Sequence, residues 1–597
     1  MRLLNRTARV VLATVLLAGV QASTAVASAP TVTALQAWQA KIAKVPQPSK
    51  GCFTSSYPKL QWQQTSCSYA QQPPMTPRPP GPLPFTVGGG GMNDLSAKAP
   101  VGTISSATGS FDSAVNLTSE TSSGTANNYT LQLNTNPFVS PACSTSPNPG
   151  CRGWEQFVYW NTGSSGRLLI QYWMLFYNAP CPAGWIFFEF SPGDPISYCF
   201  RNNAGQVSGL ANQPITNLTS LRLTGNATAA GDSVTFVAGG TATTAPGDNF
   251  LSASGGWDIA EFNVFGGPGG AEATFNAGAT IKVRTLINYG GRDAPECRAV
   301  SFTGETSNLS FGTAAPAPTP PGPSIQFIED TDGGMPADCM YAAAIGDTHQ
   351  HTVAGLLYDF QASGDFVEAQ VGPSFEVQTR KVSGAPTWPD ASVNQSVGAR
   401  MGKTEVALCE GKTLVVDGKA TELPPGGSLW LSADNVNIYR VGNRYFFVDQ
   451  DGNSVRIGVH SSYINVSVGL GAWPSKVLGL LGNPDNDVKR LEARDGTQFT
   501  VPVSFSDLYN RFGDSWRLDP AKSLLSVCGP QAEQGNPGRP FFARDLNPEL
   551  RRHAELVCQK AKVPSVWLGA CTLDVAVLGD KAAAAYVGVK PPVLTNP

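Results

Sequence analysis

Histidine is nearly absent from this chain: four in 597 residues, at His349, His351, His460 and His553. The stretch from 86 to 312 holds none, which excludes a Ser-His or Cys-His hydrolytic centre built within it. Charge is scarce too, with 14% charged residues and a net charge of -3. No basic block interrupts that balance, so nothing recruits nucleic acid. No two cysteines stand in CxxC spacing and no HExxH occurs, which argues against structural or catalytic zinc. Past the first twenty residues no run approaches 18 apolar residues, so no transmembrane segment is expected.

What is abundant is glycine (63) and proline (47), the composition of turn-rich β structure. Arg2, Arg6 and Arg9 precede an apolar run from Val10 to Val20 and an Ala25-Val26-Ala27 site. Residues 1–27 therefore read as a secretory signal peptide, and the mature protein is expected outside the cell. Export makes the twelve cysteines candidates for disulfides. The local pairs Cys52/Cys67, Cys143/Cys151 and Cys181/Cys199 suit loop staples, with connectivity left open by spacing alone.

Two proline-rich breaks divide the rest: Gln71–Pro84 and Thr313–Ser324. They set off a Cys-stapled element and linker (28–85), a first β segment (86–312), a spacer (313–324), a second β segment (325–520) and a small tail (521–597). Short apolar or alternating runs fill the first β segment: Tyr129–Leu133, Gln156–Trp160, Leu168–Tyr177, Trp185–Phe190, Leu218–Leu223, Ser233–Val237, Trp257–Phe265 and Thr280–Ile287. That spacing predicts an antiparallel jelly-roll or lectin-like sandwich. The second β segment repeats the texture. In the tail, Asn547 suits an N-cap and Pro548 the first helical position, with Leu550, Ala554, Val557, Cys558 and Ala561 on one face. The fold class expected is mainly β, with a small helical Cys-bearing module at the end.

An ordered series runs through the second β segment: "GDTHQHTVAGLLYDFQASGDFVEAQ", "FEVQTR", "SVNQSVGARMG", "LPPGG", "INVSVGL", "GLLGN" and "RFGDSW". It resembles the von Willebrand factor type D domain. The resemblance implies a β-rich domain of secreted, adhesive or matrix-forming proteins. It also implies calcium at Asn483, Asp485 and Asp487 of "GNPDND", a stretch that turn chemistry alone would also produce. This chain departs from the family pattern at several points. Ala354 stands where an aspartate ligand is expected, and Lys489 and Arg490 follow the loop. Thr348 replaces a proline, and Leu478 and Leu481 replace a cysteine pair. His349 and His351 share a strand face, as metal ligands or as packing residues.

In the first β segment fourteen Asp and Glu face nine Lys and Arg, so acid–base chemistry there falls to carboxylates, amides or tyrosines. Alternation puts Gln171 on a face with Leu169 and Trp173, and Glu261 with Trp257 and Ile259. A carboxyl on an aromatic face should titrate high, and a glutamine can hold an oxyanion. The pair resembles the glutamic peptidases, although their Trp-x-x-Glu-Asp-Phe is Trp257-Asp258-Ile259-Ala260-Glu261-Phe262 here. The other reading is a binding sandwich. Trp154, Tyr159, Trp160, Trp173 and Trp185 can stack on sugars or simply pack. The function expected is a secreted adhesive or matrix-type protein whose sandwich binds extracellular protein or carbohydrate. The alternative is an acid-acting peptidase with Gln171 and Glu261 as its catalytic pair.

Overall fold

A computed structural model describes residues 34–46, 50–77, 79, 85–89, 93–311, 317–318, 323–385 and 388–587. The leader expected at 1–27 lies outside these residues, as does most of the 313–324 spacer. Among the described residues the chain is mainly antiparallel β, and no helix is long and apolar enough to cross a membrane.

Two large sheets form a sandwich. The first runs Gln63–Thr65, Cys52–Ser56, Thr241–Pro246, Gly231–Ala238, Leu221–Thr228, Ser106–Val115, Thr280–Asn288, Ser324–Asp330 and Ser310–Phe311. The second runs Ile186–Phe188, Tyr198–Asn202, Ser165–Leu175, Arg152–Thr162, Asn128–Thr135, Ile259–Gly266, Leu95–Lys98, Glu296–Ala299 and Ala472–Trp473. Inward-facing aromatics close the space between them. Phe111 meets Phe262 at 5.3 Å, and Tyr159 stacks on Phe236 at 3.7 Å. The sheets approach closely because Gly109 and Gly225 carry no side chain: a Cβ there would lie 2.0 and 2.3 Å from the rings of Phe262 and Phe157.

Both ends of the sandwich differ from the sequence reading. Cys52–Ser56 pairs with Thr241–Pro246, so the first stapled element is an outer part of the sandwich sheet. Ser324–Asp330 pairs along Thr280–Asn288, so the strand after the spacer returns to the sandwich before the second segment begins. Leu218–Leu223 is a strand only from Leu221; Ile215–Ser220 is a short helical turn that follows Pro214.

The second half holds an eight-stranded sheet from Leu357–Asp359 to Ser428–Leu431 and a six-stranded one from Gly364–Val371 to Lys419–Thr421. Its links to the sandwich are covalent and ladder-like. Cys297 bonds Cys339, and Ala472–Trp473 pairs with Cys297 and Arg298. All twelve cysteines are paired: the three local staples, Cys297–Cys339, Cys409–Cys528 and Cys558–Cys571. The tail helix Pro548–Lys560 starts where expected, with Asn547 Oδ1 accepting from the Glu549 amide at 2.9 Å. It buries Ala554 and Cys558 in a cluster with Trp567, Tyr586 and the strand residues Tyr341, Ala343 and Ile345.

Candidate functional site

The second sandwich sheet carries apolar side chains on its inner face and an unusual set of amides and acids on its outer face. Four successive cross-strand pairs set one row. Asn202 lies opposite Gln171, Gln171 opposite Gln156, Gln156 opposite Asn134, and Asn134 opposite Glu261. Every one of these side chains is buried. Strand pairing directly aligns such a row, because residues facing each other in register project to the same side.

The row is joined end to end by hydrogen bonds. Gln171 Nε2 donates to Asn202 Oδ1 at 2.9 Å. The Trp173 indole N–H lies between Gln171 Oε1 at 3.2 Å and Gln156 Oε1 at 3.0 Å. Gln156 and Asn134 both donate to Gln132 Oε1, at 3.2 and 3.4 Å. Asn134 Nδ2 then donates to Glu261 Oε2 at 2.9 Å. Glu261 also accepts from the Ser301 hydroxyl at 2.6 Å and the Phe302 amide at 3.1 Å. Desolvation pushes the Glu261 carboxyl up to about 7 despite these donors.

Gln171 and Glu261 thus share a sheet, a face and a network, but two strands stand between them. At about 4.8 Å per strand their backbones lie roughly 14 Å apart, and their side chains hold different partners. Glu261 does not lie beside Trp257 as alternation suggests. The strand begins only at Ile259, and Trp257 precedes it, packed inward against Phe157 at 5.6 Å.

Over the row lies the chain's own segment 71–77. Gln171 grips its backbone at two points: the Met75 amide donates to Oε1 at 2.7 Å, and Nε2 donates to the Pro73 carbonyl at 3.1 Å. Glu305 Oε1 accepts from the Thr76 amide at 2.8 Å, and Glu305 Oε2 accepts from Gln132 at 3.3 Å. Gly269 and Gly304 donate to the carbonyls of Pro74 and Thr76, at 2.9 and 2.7 Å. Met75 is fully buried among Val158, Leu169 and Trp160. A second apolar cluster, Trp154, Trp173, Leu175, Tyr198 and Phe200 with Phe302 at its edge, lies on the same sheet.

Glu305, Gln132, Gln156, Asn134 and Asn202 were missed in the sequence. The polar alternation in "LQLNT" was the available sign for two of them; Glu305 sits in coil and shows none. The five aromatics proposed as sugar platforms divide. Trp154, Tyr159 and Trp173 are fully buried and pack, while Trp160 lies under Arg167 at 5.0 Å. Trp185 lines an open cleft of about 530 Å³ with Phe187 and Asp194.

The "GNPDND" loop is a tight turn whose polar groups bind the protein itself. Asn483 is buried, accepts from the Ala354 amide at 3.2 Å and donates to the Arg490 carbonyl at 2.8 Å. Asp485 is 80% exposed and Asp487 pairs with Arg490 at 2.8 Å. Asp485 also reaches the Arg490 guanidinium, at 3.6 Å, so a cation of the protein's own stands beside both carboxylates. Among the described residues no group of three or more His, Cys, Asp or Glu is placed to hold a metal ion.

His349 and His351 serve packing between the second half and the tail. His349 reaches Asp359 at 2.5 Å and Asp574 at 3.4 Å. Burial pulls its imidazole down, but those two carboxylates outweigh it and hold the ring well above the ordinary histidine value. His351 lies against Trp567 at 5.5 Å, and burial lowers it to about 4.

No family model matches this chain, and no curated protein matches it either.

Proposed function

We propose that this is a secreted adhesive or matrix-type protein whose N-terminal sandwich recognises extended peptides along the outer face of its second sheet. The second half serves as a von Willebrand type D-like scaffold. One observation carries the reading: Gln171 engages both a carbonyl and an N–H of an extended backbone, as a neighbouring strand would. The apolar floor around Met75 supplies a side-chain pocket beside that backbone contact. Six disulfides and the absence of a membrane-crossing helix among the described residues are compatible with an extracellular setting.

The test is binding of the full, disulfide-intact chain, with residues 73–76 replaced by glycine, to arrays of extended peptides and of glycans. Peptide binding that falls at least tenfold in Gln171→Leu supports the reading. Glycan binding alone, lost in Trp185→Ala, would move the site to the Trp185 cleft and refute it.

A second reading, an acid-acting peptidase, is favoured by Glu261, which at about 7 can both hold and accept a proton on the same face as Gln171. It calls for protein hydrolysis at acidic pH that vanishes in Glu261→Gln. The same hydrolysis should fall roughly two to three orders of magnitude in Gln171→Ala, the scale of a lost oxyanion donor. Hydrolysis unchanged by either substitution would end it.

A further inference from the structure

We propose that segment 71–77, "QQPPMTP", is an internal ligand that gates the outer face of the second sandwich sheet, and that the external ligand is a proline-rich extended peptide with a Met-sized apolar side chain after the prolines. The inference rests on the peptide-binding reading and adds to it both a ligand class and a means of control.

The segment is held as a ligand is held. Among the described residues it joins no sheet, and its one bridge is Pro77 with Thr303. Pro73, Pro74 and Pro77 have no N–H, so it cannot ladder along an edge as a strand does. What they give instead is an extended backbone with little entropy left to lose on docking. Its backbone is read by two side chains, Gln171 for the Pro73 carbonyl and Met75 amide and Glu305 for the Thr76 amide, and by the amides of Gly269 and Gly304. Each contact is to backbone, so the same groups can serve a different chain. At the N-terminal end, Gln72 is seated by Gln206 at 3.2 Å and by Arg167. Pro73 is exposed and Pro74 half-buried, so an invading peptide has an open end at which to start.

Selectivity comes from the floor. Val158, Leu169 and Trp160 enclose Met75. An unbranched apolar residue fills that space, whereas a charged one would be buried with no partner. The tether makes the internal copy a strong competitor. At a tethered effective concentration of about millimolar, a free peptide with a dissociation constant near 10 μM would bind the intact chain about 100-fold more weakly.

The experiment uses fluorescein-labelled QQPPMTP and the full, disulfide-intact chain in three forms: wild type, Met75→Asp, and residues 73–76 replaced by glycine. Both strap variants should bind the peptide at least tenfold more tightly than wild type. Binding should fall at least tenfold again when Gln171→Leu is added, or when the peptide's Met is replaced by Asp. Strap variants that melt cooperatively and bind other extended peptides but not QQPPMTP would overturn this inference and leave the peptide-binding reading standing. Folded variants that bind no peptide would end both. Equal binding to wild type, or failure of both variants to fold, would show that the segment is a fixed part of the sandwich and would also overturn the proposal.

Discussion

The two halves treat buried charge in opposite ways. In the sandwich Asp94, Glu120, Glu155, Asp232, Glu261, Glu305 and Glu329 are buried, and none forms an ion pair among the described residues. Desolvation raises all seven, to about 7 for Asp232 and Glu261 and about 8 for Glu120 and Glu329. The second half matches most of its buried charges. Lys381 meets Glu368 at 2.5 Å, Arg380 meets Asp365 at 2.8 Å, Arg456 meets Asp338, and His349 stands between Asp359 and Asp574. Asp347 and Asp449 are its raised carboxyls, the latter at about 6. The second half neutralises its interior with fixed pairs. Among the described residues the sandwich leaves its buried carboxyls without cations, and Glu261 and Glu305 among them are held by amide and hydroxyl donors instead.

The largest break in this contrast comes from the second half. Lys381→Met leaves Glu368 buried without its cation and should destabilise that half by about 3–5 kcal/mol at pH 7, read by denaturant unfolding. Glu368→Gln strands the Lys381 ammonium instead and should cost a similar amount, whereas the double change should recover most of the loss. A double variant no more stable than either single one would mean the pair's geometry, and not its charge balance, is what matters.

The converse change in the sandwich should stabilise. Both Glu155 oxygens lie without a hydrogen bond among the described residues, and burial holds the carboxyl well above its ordinary value, with Asp232 adding to the rise. Glu155→Gln removes the ionisable group and should raise stability at pH 8 by about 1–2 kcal/mol. At pH 4, where the glutamate is already neutral, the change should be close to nil.

His349 sharpens the comparison at smaller scale. Its folded value is raised, so its stabilisation is full below the unfolded value of about 6.5 and is lost as pH rises through the folded one. His349→Gln should therefore loosen the docking of the tail most at pH 5. Protection of the helix Pro548–Lys560 by hydrogen exchange should fall there, and the difference from wild type should shrink on the alkaline side. A difference that grows with pH would reverse the sign and reject the carboxylate clamp.

Much of this fold was legible where local chemistry decides it. Alternation located Asn128–Thr135, Ser165–Leu175 and Thr280–Asn288 to within a few residues, and Asn547-Pro548 set the helix start. Gln171 and the raised Glu261 were legible for the same reason, since burial on one strand face follows from period two. The rest depends on partners distant in sequence. Nothing near Cys52 indicates that its strand will pair with Thr241–Pro246, some 190 residues on, and the prolines of 71–77 read as a linker because their partners, Gln171 and Glu305, lie far along the chain. Trp257 misled because alternation was carried two residues past the strand's true start.

The contrast between the halves is tested most directly by amide hydrogen exchange across pH 4, 6 and 8, corrected for intrinsic rates. The raised carboxyls give the sandwich its full stability below their unfolded value of about 4, and that stability is lost as pH rises through about 7 to 8. Protection of Asn128–Thr135, Ser165–Leu175 and Ile259–Gly266 should decline steadily from pH 4 to pH 8, while that of Arg444–Val448 and Ser454–Val459, in a half with only Asp347 and Asp449 raised among its described carboxyls, should decline less. Parallel decline in both halves, or sandwich protection that rises with pH, would contradict the account.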